Sequence, residues 1–473
     1  MAVHSERKEK DKHLNKLMIS LALTLILTLG STSLTAQSEA PQDLPDNVPA
    51  LLGMANSAYL AKDHLKYRRV LERLHTLRPY NSEYMYQLVI AHAVLDEKPE
   101  AYALMLTMQR QGLNYDFSEL ESTRSIRDTE VFNYVNDLMK MAASPMGESE
   151  KVFTLPETVA IPEALAWDES RQKFLIGTIA GGSIFAVGRE GQVKELLSAN
   201  EENGLWAIFD IKVDQARDRL WVSSAAIPAF SGFDPADKGR SALFEFNLES
   251  LELIRRYPVP VDGRSHILAS MAFAANGDIY LADRALPIIY KKAADEQKLN
   301  AMLATRDMVS MRGIAVQPDG RIIYVADREM GILIIDTEGE RAGRLAVPET
   351  LNIGGIDGLY LWENHLIMIQ NGIKPQRVMR LQLDPSGTRV TAVRPLAVAQ
   401  PEFDFPSFGT IQGEDLYYFA NSQSIRRDTE PKPVVVLRTP VNSSEDLVQP
   451  DMMEYLKKRG EAQKAEQEKT KKE

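Results

Sequence analysis

Between residues 160 and 421 the chain repeats one phrase: an apolar stretch, a polar turn, then a second apolar stretch ending in a small or acidic residue. The clearest copies are 271–283 (MAFAANGDIYLAD) and 314–327 (IAVQPDGRIIYVAD), with Asn-Gly and Asp-Gly at the turn. Those dipeptides tolerate the positive φ of a tight hairpin, so each copy predicts two antiparallel strands. Weaker copies at 165–177, 211–223, 359–370 and 410–420 bring the number to six. Aligned on the residue before each inner strand, the copies begin at Glu163, Phe209, Ala269, Arg312, Asp357 and Phe408. Most spacings are near ~45 residues, as for propeller blades. The expected fold class is an all-β six-bladed β-propeller over 150–441, preceded by a small all-α domain. A propeller must close its ring, and apolar strands at 152–155 and 434–437 flank the six copies. Both are expected to share the sixth blade.

From 48 to 145 the period changes to helical, rich in Ala and Leu. Met54, Ala55, Ala58 and Leu71 are matched about 34 residues later by Leu88, Val89, His92 and Met105. That resembles a pair of tetratricopeptide repeats. The small residue such repeats place in their second helix is Ala101 in the second copy, whereas the first has Tyr67. A further helix at 131–143 would cap the stack. Two repeats fall short of the three usually needed to stand alone, so this helical-repeat domain is expected to pack on the propeller or on a protein partner. Its histidines (His64, His75, His92) read as packing or surface residues.

The N-terminus sets Lys8, Lys10, Lys12 and Lys16 before an apolar run at 17–29 (LMISLALTLILTL) and small residues at 30–36. This is the order of a secretory signal peptide, and the run is shorter than the roughly 20 residues of a membrane span. Residues 1–36 are therefore expected to be a signal peptide that leaves no span after cleavage, followed by a linker at 37–47. Neither Ser31-Thr32-Ser33 nor Leu34-Thr35-Ala36 is an ideal cleavage triplet, so an uncleaved, periplasm-facing anchor is the alternative. Either way the body is expected outside the cytoplasm, in a Gram-negative periplasm. The charged segment 442–473 reads as a frayed or disordered tail. A net charge of −11 argues against nucleic acid as a partner. The absence of cysteine excludes disulfides, thiol nucleophiles and thiolate metal sites.

In a propeller the inner strands line a channel, so the six aligned residues are expected to ring its mouth. The second strands end on the same face and would add an outer shell of Thr178, Ser223, Asp283, Asp327, Asn371 and Asn421. The long connection 225–240 follows a second strand and would hang over that face as a lid. Phe209 and Phe408 could line an apolar wall, or simply pack in the core. His266, just before the third inner strand, is an acid–base candidate, although a lone loop histidine also has structural uses. No nucleophile elbow, P-loop, dinucleotide fingerprint or EF-hand loop is present.

Pro162-Glu163 with Trp167, the Asn-Gly and Asp-Gly hairpins, and Ile356-Asp357-Gly358-Leu359 resemble the regucalcin/gluconolactonase family of six-bladed propellers, itself similar to strictosidine synthase. The resemblance covers roughly 150–440. It implies a divalent cation (Ca, Zn or Mn) on the channel axis, with Glu163 and Asp357 among its metal ligands and asparagines at two middle positions. It also implies hydrolysis of sugar lactones through carbonyl polarisation and an activated water. The two asparagine positions fall on Ala269, which has no ligand atom, and Arg312, a permanent cation. Two carboxylates alone make a poor cage for a hard cation. The residues themselves favour a charge-assisted network, with the Arg312 guanidinium between Glu163 and Asp357 where the family holds its metal. A metal site rebuilt with Asp210, Asp283 or Asp327 is the alternative. The expected function is an exported propeller with a degenerate metal site, binding a small ligand or a protein partner at its mouth. The alternative is a lactonase-type hydrolase of sugar lactones or related esters that uses Glu163 and Asp357.

Overall fold

The computed structural model describes residues 44–423 and 432–444, with Lys457 and Glu461 beyond them. The expected signal peptide, most of the linker and most of the charged tail lie outside the described residues. Among the described residues the helices of at least three turns come first: α1 (Val48–Leu60), α2 (His64–Leu77), α3 (Ser82–Val94), α4 (Lys98–Arg110) and α5 (Glu130–Met141). Capping side chains set the starts of all of these but α4. Asn47 Oδ1 accepts from Ala50 N at 2.9 Å, and Asp63 Oδ1 accepts from Lys66 N at 3.1 Å. Two hairpins, α1–α2 and α3–α4, turn on left-handed residues, Lys62 (φ 58°) and Asp96 (φ 57°). The apolar faces of α3, α4 and α5 meet in a core of Met85, Val89, Met105, Phe117 and Val135. Among the described residues no helix is long and apolar enough to cross a membrane.

The described residues that follow form six antiparallel sheets, each beginning with an inner strand: Pro162–Asp168, Ala207–Asp214, Leu268–Phe273, Met311–Val316, Ile356–Trp362 and Gly409–Gln412. Each inner strand packs on the next, and the sixth returns to the first, which closes a six-bladed β-propeller. Closure works as expected: Glu150–Thr154 pairs with Val435–Pro440 in the sixth blade. Met146 and Gly147 pair with Val398 and Ala397, adding a fifth strand to the fifth blade. The Asn-Gly hairpin at 276–277 turns on Gly277 (φ 95°), a conformation that L side chains resist.

The helices dock on the channel-mouth face of the fourth and fifth blades. Ile373, from a propeller loop, lies in the helical core. Arg78 Nε pairs with Glu329 Oε2 at 2.8 Å, and Asn114 N donates to Lys374 O at 2.7 Å. The backbones approach so closely that a Cβ on Gly354 would stand 2.1 Å from Tyr80 O. Only glycine fits there.

Candidate functional site at the channel mouth

The aligned residues share a backbone device. Glu163, Phe209, Ala269 and Asp357 are each the unpaired residue of a β-bulge in the inner strand, and Arg312 lies in the equivalent irregularity with Gly313. In the sixth blade Ser407 N donates to Phe419 O, and Phe419 N donates to Phe408 O. A bulge takes one residue out of the ladder and re-aims its side chain.

What those side chains meet differs around the ring. Arg284 Nη1 donates to Glu163 Oε1 at 2.7 Å, across from the third blade to the first. Arg328 Nη1 donates to Asp357 Oδ1 at 3.0 Å and to Asn371 Oδ1 at 2.8 Å. Arg312 Nε stands 3.6 Å from the same Asp357 oxygen, beyond hydrogen-bonding distance. Arg312 therefore does not bridge the two carboxylates. Among the described residues three guanidiniums surround them instead. The Arg312 side chain is 16% exposed, and its Nε and Nη1 donate no hydrogen bond. Burial, with Arg284 the next cause, pulls the Arg312 guanidinium down to about 10, still protonated at neutral pH. A cavity of about 250 Å³ opens above Arg312 and Arg328, walled by Tyr80 and Asn81 of the helical module, by Ser310, Gly355 and Gly372, and by the Glu329 carboxylate that Arg78 holds. This is smaller than the ~300–1,000 Å³ of most drug-sized sites.

Sequence reasoning missed Arg284 and Arg328. The signal was present: both clear hairpin copies end in Ala-Asp-Arg, at 282–284 and 326–328. In each doublet the arginine reaches the mouth while the aspartate turns back to the chain. Asp283 Oδ1 accepts from the backbone of Ile267, Ala285 and Leu286. Asp327 accepts from Val309, Ser310, Glu329 and Met330. Both are buried, and these contacts tie loops together rather than facing a ligand. His266 is also buried. Its Nδ1 is 2.7 Å from Asp283 Oδ2 and its Nε2 is 3.0 Å from Asp262 Oδ1, which pins the ring away from the channel. Asn371 reaches the cluster through Arg328 and donates from Nδ2 to Pro406 O. Asn421 accepts from Val435 N and donates to Pro433 O, joining segments of the sixth blade.

The opposite rim is apolar. Phe209 and Ala269 pack with Ile179, Ala207, Ala225 and Phe230, and Phe230 belongs to the expected lid. That loop is tied down: Ser231 N donates to Ala180 O at 2.9 Å, and Trp206 Nε1 donates to Asp237 Oδ2 at 3.2 Å. Phe408 lies partly buried against the first-blade core.

A divalent cation does not fit this donor set. Glu163 and Asp357 are each held by a guanidinium, and Arg312 brings positive charge where a metal would add more. Asp210, a rebuilding candidate, accepts from Met271 N and pairs with Lys212 at 2.8 Å.

No family model matches the chain, and no curated protein matches it. Among solved structures, a luciferin-regenerating enzyme is similar at 14% identity and TM-score 0.44, covering 63% of this chain and 95% of that one. A PQQ-bound aldose sugar dehydrogenase from Streptomyces coelicolor is similar at 14% and 0.43, covering 63% and 100%. A gluconolactonase from Xanthomonas campestris is similar at 15% and 0.44, covering 62% and 89%. At these identities and scores no residue's role passes from them to this chain.

Proposed function

We propose that this protein is an exported, gluconolactonase-like propeller whose mouth binds a small organic anion through guanidiniums instead of a metal. One observation carries the reading: Arg312 is a buried cation with two unmatched N–H groups, beside carboxylates already held by Arg284 and Arg328. A buried donor without an acceptor costs roughly 1–3 kcal/mol. A carboxylate or phosphate would supply acceptors in the fork geometry that arginine suits. The helical hairpins, read as tetratricopeptide-like, complete the wall through Tyr80 and Asn81. Export rests on the N-terminal pattern alone. The hydrolase alternative is weaker because Asp357, one of the two residues it would use, is held by Arg328 with Arg312 close by.

Calorimetric titration with gluconate and with glucose tests the proposal. Gluconate binds saturably and glucose does not. Arg312→Met weakens gluconate binding by about 100-fold, on the scale of a lost buried charge pair. Thermal stability stays level or rises, because the substitution removes the unmatched donors. Equal binding to the variant would overturn the reading. So would turnover of glucono-1,5-lactone that collapses in Asp357→Asn.

A further inference from the structure

A second buried arginine stands apart from the mouth. Arg377, at the start of the fifth blade's third strand, is 4% exposed. Its Nε donates to Gln370 Oε1 at 2.7 Å, its Nη1 to Gln111 O at 2.9 Å and its Nη2 to Asn352 O at 3.2 Å. All three acceptors are neutral. Among the described residues no carboxylate pairs with it, and burial alone pulls its guanidinium down to about 10. An ion taken out of water without a counter-charge costs several kcal/mol. A guanidinium has five N–H donors, so two remain beyond those three bonds.

Arg377 also forms part of the wall of a cavity of about 460 Å³ between α4, α5 and the fifth blade. One side of that wall is apolar, with Leu138, Met141, Leu351, Met379 and Pro395, and the end of α4 adds Gln109 and Arg110. Exposed Ser144 forms an open side. A buried cation without a counter-charge, with exposed Arg110 as a second cation and no carboxylate in the lining, beside an apolar wall in a cavity of ligand size, is the pattern that recognises an amphipathic anion.

We propose that this cavity binds a monocarboxylate with an aliphatic tail, its carboxylate on Arg377 and its tail along Leu138, Met141 and Met379. The competing account makes Arg377 a staple. It caps the carbonyl end of α4 at Gln111, where the helix dipole favours a cation, and so joins the helices to the propeller. Both accounts predict that Arg377→Met destabilises the fold, so stability alone does not separate them.

The full-length protein is titrated with octanoate and with 1-octanol, following heat of binding and thermal stability. Octanoate binds saturably and raises the melting temperature, whereas octanol binds at least about 10-fold more weakly. Arg377→Met weakens octanoate by about 10- to 100-fold. Leu138→Trp fills the cavity without touching the guanidinium and also abolishes octanoate binding. This second variant decides the matter if Arg377→Met does not fold. The proposal is overturned if wild-type protein does not bind octanoate, if octanol binds as tightly, or if Leu138→Trp binds octanoate as wild type does.

Discussion

On the rim of the second and third blades the bulge residues are Phe209 and Ala269, and the chain covers them itself with Phe230 from the loop above. On the rim of the fourth and fifth blades the equivalent residues are Arg312 and Asp357, and there the helical module leaves a cavity. The backbone device is the same on both sides, so the bulge fixes only where a side chain points. The apolar rim is complete: its side chains pack in one cluster, and its loop is hydrogen-bonded in place. The charged rim is incomplete: among the described residues two N–H groups of Arg312 have no acceptor. A ligand adds free energy only where the protein has left groups unmatched. That contrast locates the site more firmly than the ring of conspicuous residues does.

The largest effect is expected from removing the anion shared on the charged rim. Asp357→Ala leaves Arg312 and Arg328 without their carboxylate and should destabilise the protein by about 3–5 kcal/mol in urea unfolding. A loss below about 1 kcal/mol would mean that the cluster is not electrostatically coupled, and the comparison would break. Next, Phe230→Ala opens a hole under the tied loop on the apolar rim. It should cost about 3 kcal/mol while changing gluconate affinity less than about twofold. If gluconate binding fell with it, the two rims would be one site. The smallest stability effect belongs to Arg312→Met, within about 1 kcal/mol of wild type or above it. It is paired with the largest loss of binding, and that opposition is what an incomplete rim predicts.

The propeller was legible in the sequence because Asn-Gly and Asp-Gly punctuate alternating strands, and their spacing sets the blades. The ring was legible for the same reason: aligning the copies placed the bulge residues in register. Which polar residue faces the channel was harder to see. Asp283 ends its strand and Arg284 opens the following loop, so type alone did not tell the loop tie from the mouth cation. The duplicated Ala-Asp-Arg was the available clue. Other features had no local signal. The strand at Met146–Gly147 has only two residues, too few for a period. The docking of the helices depends on Gly354 meeting Tyr80 from far along the chain, which no local pattern encodes.

The central claim is that a guanidinium, not a metal, is the cation of this mouth. Calorimetric titration of gluconate into protein dialysed against EDTA tests it directly. The account predicts an affinity unchanged within about twofold by the chelator and weakening only modestly as salt rises, because the guanidinium is buried. Binding that vanishes in EDTA and returns with Ca²⁺, Zn²⁺ or Mn²⁺ would contradict it.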